Sequence, residues 1–174
     1  TVNHFLKSKA ENYAIEDFAA LCKKYDHIKF LLIGEGELLE ECRQLAVKSG
    51  INADKIKFLG YKNDIPRYLS ISDIFIFTSL REGLPRVIVE ASLLQVPVVT
   101  FAVEGASEVI ENEKSGYIVP QGDTELLIFK TEQLISHPEI RMAFGKLSQQ
   151  HVLKNWDMHL MAGQLQKIYN RNSV

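Results

Sequence analysis

The sequence has 174 residues, of which 46% are apolar and 24% are charged, and its formal net charge is −2, with 20 basic against 22 acidic residues. A chain of this length can bury a single core without disulfides. The net charge near zero argues against broad non-specific binding of nucleic acid, which needs a strongly basic surface. Cys22 and Cys42 are too far apart for a CxxC motif, so we expect neither a metal ribbon nor a disulfide framework.

Short apolar runs alternate with amphipathic segments along the whole sequence. Apolar residues three and four apart predict helices at 11–25, 38–50, 64–72, 85–94, 123–136, 138–150 and 156–170. Apolar runs predict strands at 28–33, 56–59, 73–77 and 97–100, with shorter extended pieces at 108–110 and 117–119. This alternation predicts an α/β fold, a doubly wound, Rossmann-like parallel sheet with helices on both faces. We interpret residues 1–174 as one domain, with 155–174 as the closing helix and tail.

The turn after the first predicted strand contains two glycines, Gly34 and Gly36. They match the first half of a dinucleotide fingerprint, but Leu39 stands where the third glycine would allow close helix packing. Three interpretations remain open for this turn. It could bind a nicotinamide dinucleotide, it could simply reverse the chain, or it could admit another phosphate ligand at a helix N-terminus.

Several common catalytic signatures are absent from the sequence. The five histidines show neither HxxxH nor HExxH spacing, so a zinc site has little support. The sequence contains no GxxxxGK[ST] loop, no GxSxG elbow and no Asp-x-Asp pair. We therefore expect no metal site and no metal cofactor.

The segment 79–91 directly follows the most apolar predicted strand and carries the strongest signal. Pro85 is suited to a first helical turn, and Gly83 lets a ligand approach the main chain closely. The free N–H groups at such a helix start, with the positive end of its dipole, favour an anion. Glu82 precedes this start and Glu90 lies inside the predicted helix, so acceptor groups flank an anion site. A nucleotide sugar has this layout, with a diphosphate between two hydroxyl-bearing sugars.

A purely structural interpretation of the two glutamates is also open. Arg86 and Glu90 are four residues apart, so they could form a surface ion pair worth a few tenths of a kcal/mol. Glu82 could be an ordinary acidic residue favoured by the helix dipole.

The sequence also resembles the retaining glycosyltransferases of the GT-B fold, group 1 (family GT4). Glu82-Gly83-Leu84-Pro85 with Glu90 resembles the signature EG(L/F)PxxxxE, and 91–99 resembles the motif that follows it, with Val96 in place of the usual glycine. Further similar segments occur in the family's order along essentially the whole sequence, at 30–36, 57–61, 104–110, 115–119 and 156–169.

The resemblance implies a donor-binding domain, the C-terminal half of a two-domain enzyme whose N-terminal, acceptor-binding domain is absent from this sequence. It implies that Glu82 contacts the donor hexose and that Glu90 holds the ribose hydroxyls. Main-chain groups at Gly83 and Leu84 would then meet the sugar or the diphosphate, with Pro85 starting the helix beside them. Tyr61 would touch the base.

The resemblance also assigns groups to the departing diphosphate. Lys9 matches the lysine of the family motif GRxxxxxK, whereas His4 stands in the place of the arginine and Asn3 in that of the glycine. Because histidine is only partly protonated near neutral pH, His4 is a weaker match than arginine for this role. Gly36, in the turn that resembles the family's glycine-rich turn, joins the expected donor-binding residues.

The sequence therefore predicts transfer of a sugar from a nucleoside diphosphate donor to an acceptor hydroxyl, in polysaccharide or glycolipid synthesis. The expected catalytic residues are Glu82 and Lys9, and the expected partners are the donor and the absent N-terminal domain. We expect a cytoplasmic protein that could reach the inner membrane face only through that absent half. The alternatives are a non-catalytic nucleotide-sugar-binding module, an NAD(P)-binding oxidoreductase domain and a GT-B-like epimerase.

Overall fold

The computed structural model describes residues 11–156. Within this range helices and strands alternate, in the order α1 (Glu11–Cys22), β1 (Phe30–Leu32), α2 (Leu39–Lys48), β2 (Ile56–Phe58), α3 (Ile65–Leu69), β3 (Phe75–Phe77), α4 (Arg86–Leu93), β4 (Val98–Phe101), α5 (Ala106–Val109), β5 (Gly116–Val119), α6 (Thr124–Ser136) and α7 (Pro138–Asn155). The helix expected at 156–170 lies almost entirely outside the described residues.

All strand pairs in the described range are parallel. The strand order is β1-β2 in one sheet and β3-β4-β5 in another, with Val99 opposite both Ile76 and Tyr117 in the larger sheet. Within 11–156 no pairing joins β1 to β3, so the described strands form a two-stranded and a three-stranded group. The parallel α/β architecture itself is confirmed.

Both faces of the larger sheet are covered, as the continuous apolar run at 73–77 predicts. Phe75 and Phe77 of β3 pack with residues of α4 and α5 in one apolar cluster. Ile76, between them, points to the opposite face and packs with Leu127 and Leu134 of α6. A third cluster joins β1 and β2 to α1 and α2. The sheet is therefore doubly wound, and the loops at its strand ends are supported from both sides.

Several elements are shorter than expected, such as α1, which ends at Cys22, and three other differences have a structural reason. The extended piece predicted at 108–110 is mostly the short helix α5, which begins after Gly105 in a left-handed conformation, and only Ile110 is extended. Pro85 is the N-cap of α4 rather than its first residue, with ψ of 86°. Helix α7 continues to Asn155, five residues past the predicted end, because Val152 on its inner face packs in the core.

A left-handed residue follows α4 and corrects one detail of the motif comparison. The φ of Gln95 is 60°, whereas Val96 is buried with an ordinary φ. Gln95 therefore has the left-handed conformation that favours glycine. On this ground Gln95, and not Val96, occupies the position of the usual glycine.

Replacing Gln95 with glycine should stabilise the chain, because glycine adopts the left-handed conformation without the Cβ penalty. We expect the free energy of unfolding to rise by about 1 kcal/mol in urea denaturation. Gln95→Ala is the matched control, since it also removes the hydrogen bond from the Gln95 amide to Gln149 but keeps the Cβ. Equal stabilities of the two variants would contradict the explanation.

A buried carboxyl lies on α1, which packs against α2 and α6. Asp17 is only 2% exposed, and neither of its oxygens has a hydrogen-bond partner in the described part of the chain. Burial, aided by the neighbouring Glu16 carboxylate, raises the pKa of Asp17 to about 8. No local sequence pattern singles out this carboxyl, because Asp17 lies within an ordinary amphipathic helix.

Candidate functional site

The loop after β3 connects the core of the larger sheet to α4. Thr78 and Ser79 are buried, and the Ser79 hydroxyl donates to the main-chain oxygen of Arg81 at 3.2 Å. Pro85 is buried and precedes the first helical residue, and no side chain caps the start of α4. The N-terminal turn of α4 therefore opens at the carboxyl end of the sheet, where ligands of doubly wound folds bind.

The two glutamates of the signature occupy different parts of this region. Glu82 lies in the loop and is partly buried. Glu90 lies on α4 and is partly buried, on the helix that also buries Ile88 and Ala91. Among residues 11–156 no ion pair joins Arg86 to Glu90, and the Glu90 carboxylate has no hydrogen-bond partner. The surface ion pair considered above is therefore not formed.

The turn between the two glutamates presents its main chain to the surface. Gly83 is exposed, and the side chain of Leu84 is 43% exposed although it is apolar. A Cβ placed on Gly105 would lie 2.5 Å from the main-chain oxygen of Gly83 and 3.2 Å from Leu84 Cδ1. The segments that follow β3 and β4 are thus in close contact at this point.

The segment after β5 also reaches the same loop. The side-chain amide of Gln121 donates to the main-chain oxygen of Leu80 at 2.9 Å. No sequence motif singles out Gln121, and Gly105 lies in the segment 104–110, to which no role is assigned from the sequence. Their contacts depend on the order of strands in the sheet, which brings together residues far apart in the sequence.

Two further predicted positions, Gly36 and Tyr61, lie in loops of the smaller sheet. Gly36 is exposed in the loop between β1 and α2, and Tyr61 is 59% exposed just after β2. The main-chain N–H of Gly34 donates to the oxygen of Gly60 at 2.9 Å, so these two loops are joined. The structure therefore brings the surroundings of Gly36 and Tyr61 together. His4 and Lys9 lie outside the described residues.

The dinucleotide interpretation of the first loop is weakened by the packing of α2. Leu39 is the first residue of that helix, and its side chain packs against the apolar cluster of β1 and β2. A large side chain thus occupies the position at which the fingerprint needs glycine for close helix approach.

One cavity among the described residues lies away from this site. It has a volume of about 750 Å³ and lies between the edges of β1 and β3. Its lining includes His27 and Asp73, which precede those strands, and it includes no residue of the loop at 79–85.

No group of three or more histidine, cysteine, aspartate or glutamate residues able to hold a metal ion occurs within 11–156. No helix in that range has both the length and the apolar character needed to cross a bilayer.

Comparison with known proteins gives a consistent result. The family model described as "Glycosyl transferases group 1" matches residues 1–151. An uncharacterized glycosyltransferase of Haemophilus influenzae is 29% identical over 149 residues, which are 85% of this chain and 42% of that protein. The capsular polysaccharide biosynthesis glycosyltransferase CapM of Staphylococcus aureus is 28% identical over 97% of this chain and 44% of its own length. This chain thus spans less than half the length of these relatives.

Solved structures show the same fold. HepE of Anabaena in complex with UDP has a TM-score of 0.89 at 23% identity, over 98% of this chain and 47% of that one. TarM of S. aureus has a TM-score of 0.90 at 21% identity, over 97% of this chain and 34% of its own. The C-terminal domain of LpcC, a group 1 family protein from Francisella tularensis, has a TM-score of 0.81 at 23% identity. The match covers 90% of this chain and 85% of the LpcC domain. These likenesses confirm the predicted fold class.

Proposed function

Because this chain belongs to the group 1 glycosyl transferase family, we propose that it is the C-terminal, donor-binding domain of a retaining glycosyltransferase and that it binds a nucleoside diphosphate sugar. The observation that carries the proposal is the uncapped start of α4 beside an exposed glycine turn, with the partly buried Glu90 carboxylate on the same helix. Helix N–H groups suit a diphosphate, and a carboxylate suits sugar hydroxyls. The UDP complex of HepE, a protein of the same fold, is consistent with such a ligand.

In the proposed reaction this domain stabilises the leaving group. When the bond between the anomeric carbon and the donor diphosphate breaks, negative charge grows on the diphosphate. Preorganised N–H groups and a lysine stabilise that charge where it develops. In this proposal α4 and Lys9 take that role, with His4 as a second group, and no metal is required.

The remaining predicted residues orient the donor. Glu82 binds the hexose, Glu90 fixes the ribose, and the main chain at Gly83 and Leu84 lies along the sugar and the phosphates. Tyr61 and Gly36, on the joined loops of the smaller sheet, are assigned to the nucleoside end. The acceptor hydroxyl and its binding domain belong to the rest of the enzyme, and the name of the CapM relative suggests polysaccharide synthesis as the purpose.

A thermal-shift panel tests the proposed function directly. UDP, GDP, ADP, their common sugar derivatives and NAD are each added to the chain at millimolar concentration. Stabilisation by a nucleoside diphosphate or its sugar is expected, because a ligand that binds only the folded state raises its stability. Stabilisation by NAD alone would favour the oxidoreductase alternative, and stabilisation by none of them would reject donor binding.

Glu90→Gln is expected to weaken nucleoside diphosphate binding about 10-fold or more, since a hydrogen bond to a charged group contributes about 1.5–3 kcal/mol. Isothermal titration calorimetry measures the change. Glu139→Gln is the matched control, because Glu139 is an exposed helical glutamate at the start of α7 and should leave the affinity unchanged. Unaltered binding by the Glu90 variant would remove this residue from the site.

A further inference from the structure

The loop after β3 receives a hydrogen bond from a segment 41 residues away. Gln121 follows β5, and its side-chain amide donates to the main-chain oxygen of Leu80 at 2.9 Å. Gln121 is exposed, so its amide could be satisfied by water. This hydrogen bond lies at the surface and not in the apolar core, and it orients the start of the loop at 79–85.

The far end of the same loop is supported by the segment after β4. Gly105 is buried and has a φ of 76°. A Cβ added to Gly105 would lie 2.5 Å from the main-chain oxygen of Gly83. The Cα of Leu84 is 3.3 Å from that position. The loop is thus contacted near both ends, at Leu80 by a side chain and at Gly83 and Leu84 by a main-chain surface.

We propose that Gln121 is a positioning residue for the donor site, which holds the main chain after β3 in the shape that presents Glu82 and the turn at Gly83 to the ligand. This inference rests on the proposed function. Gln121 acts through Leu80 and does not itself touch the donor.

The physical basis is the cost of ordering a loop. Fixing the main chain of one residue costs about 1–2 kcal/mol, and a loop that is already ordered spares the ligand part of that cost. The residues from 78 to 85 form neither helix nor strand, so their order depends on contacts with neighbouring segments. Gly105 can restrict the loop only by contact, whereas Gln121 restrains it through a directional bond.

The test compares variants of the whole chain by titration with UDP, GDP and ADP. Gln121→Ala is expected to raise the dissociation constant of the bound nucleotide about 5-fold, which corresponds to the net value of about one hydrogen bond. Gln121→Glu keeps the shape but only accepts hydrogen bonds, so it should bind no better than the alanine variant. Gln121→Lys keeps a donor of similar reach and should recover most of the affinity. Gln150→Ala, at another exposed glutamine, is the control.

Hydrogen–deuterium exchange of the nucleotide-free chain provides a second readout. Gln121→Ala should speed the exchange of amides at 80–84 while the midpoint of urea unfolding stays unchanged. Equal nucleotide affinity of the alanine, glutamate and wild-type chains, or unchanged exchange in this loop, would overturn the positioning role. A wild-type chain that binds none of the three nucleotides would instead overturn the proposed function and this inference with it.

Discussion

Replacing Asp17 with asparagine is expected to stabilise the chain at pH 7 by about 4 kcal/mol and to have almost no effect near pH 3.5. Both oxygens of this buried carboxyl are without partners within 11–156, and burial raises its pKa from 3.8 to about 8. The unfolded chain releases this proton near pH 4, whereas the folded chain keeps it. Folding at neutral pH therefore carries the cost of keeping Asp17 protonated.

The sign of the pH dependence follows from the same values. Between about pH 4 and pH 8 the folded chain binds one proton more than the unfolded chain at this site, so stability decreases as the pH rises, by about 1.4 kcal/mol per unit. Above pH 8 both states are ionised and the loss levels off. Asparagine cannot ionise, so the variant should lack this contribution.

Urea denaturation of both chains at a series of pH values between 3.5 and 9 measures the effect. Asp54→Asn is the control, because Asp54 is exposed and its side chain should contribute little to the difference. A constant difference in stability between wild type and Asp17→Asn across this range would show that Asp17 does not titrate as described.

Replacing Gly145 with alanine is expected to destabilise the chain by about 3 kcal/mol, although alanine is the better helix former by about 1 kcal/mol. Gly145 lies in the interior of α7, at its contact with the turn that follows α4. A Cβ at this position would overlap the main-chain oxygen of Gln95 and would lie 2.8 Å from its carbonyl carbon. Because both partners are main chain, neither can turn aside as a flexible side chain would.

The contact between α7 and α4 also includes polar bonds that fix its register. The Ser148 hydroxyl donates to that of Ser92 at 2.6 Å in the buried interface, and Gln149 donates to the oxygen of Leu93 at 2.7 Å. An added methyl group would have to separate these pairs. We therefore expect Gly145→Ala to disturb α4 as well, and with it the loop that precedes that helix.

Thermal and urea unfolding of Gly145→Ala measure the loss, with Lys146→Ala as the control on the exposed face of the same helix. A stabilised Gly145→Ala chain, as expected for an ordinary mid-helix glycine, would show that the helices do not approach each other this closely.

The sequence predicted the order of elements well because the apolar runs and helical periods are strong. The run at 73–77 correctly indicates a strand covered on both faces, and the proline at 85 indicates the start of α4 to within one residue. The piece at 108–110 was predicted wrongly, because a left-handed glycine at 105 starts a helical turn that local apolar residues do not reveal.

Only part of the candidate site can be predicted from the sequence. Contiguous residues such as Glu82 and Gly83 form a motif, so resemblance to a family could single them out, and their roles stay predictions. Gln121 and Gly105 contact the same loop from other strand ends, and their proximity depends on sheet order. Asp17 could not be recognised because its burial follows from the packing of α1 and not from any local pattern.

The contacts of the loop after β3 with segments after β4 and β5 have a consequence for folding. Pairings between strands that are distant in the sequence form late and slowly, because closing long loops costs entropy before the contacts compensate for it. The loop can acquire its shape only after all three strands have assembled. A partly folded chain would therefore lack the ordered loop, and a ligand that binds the proposed site would favour the completed sheet over partially assembled species.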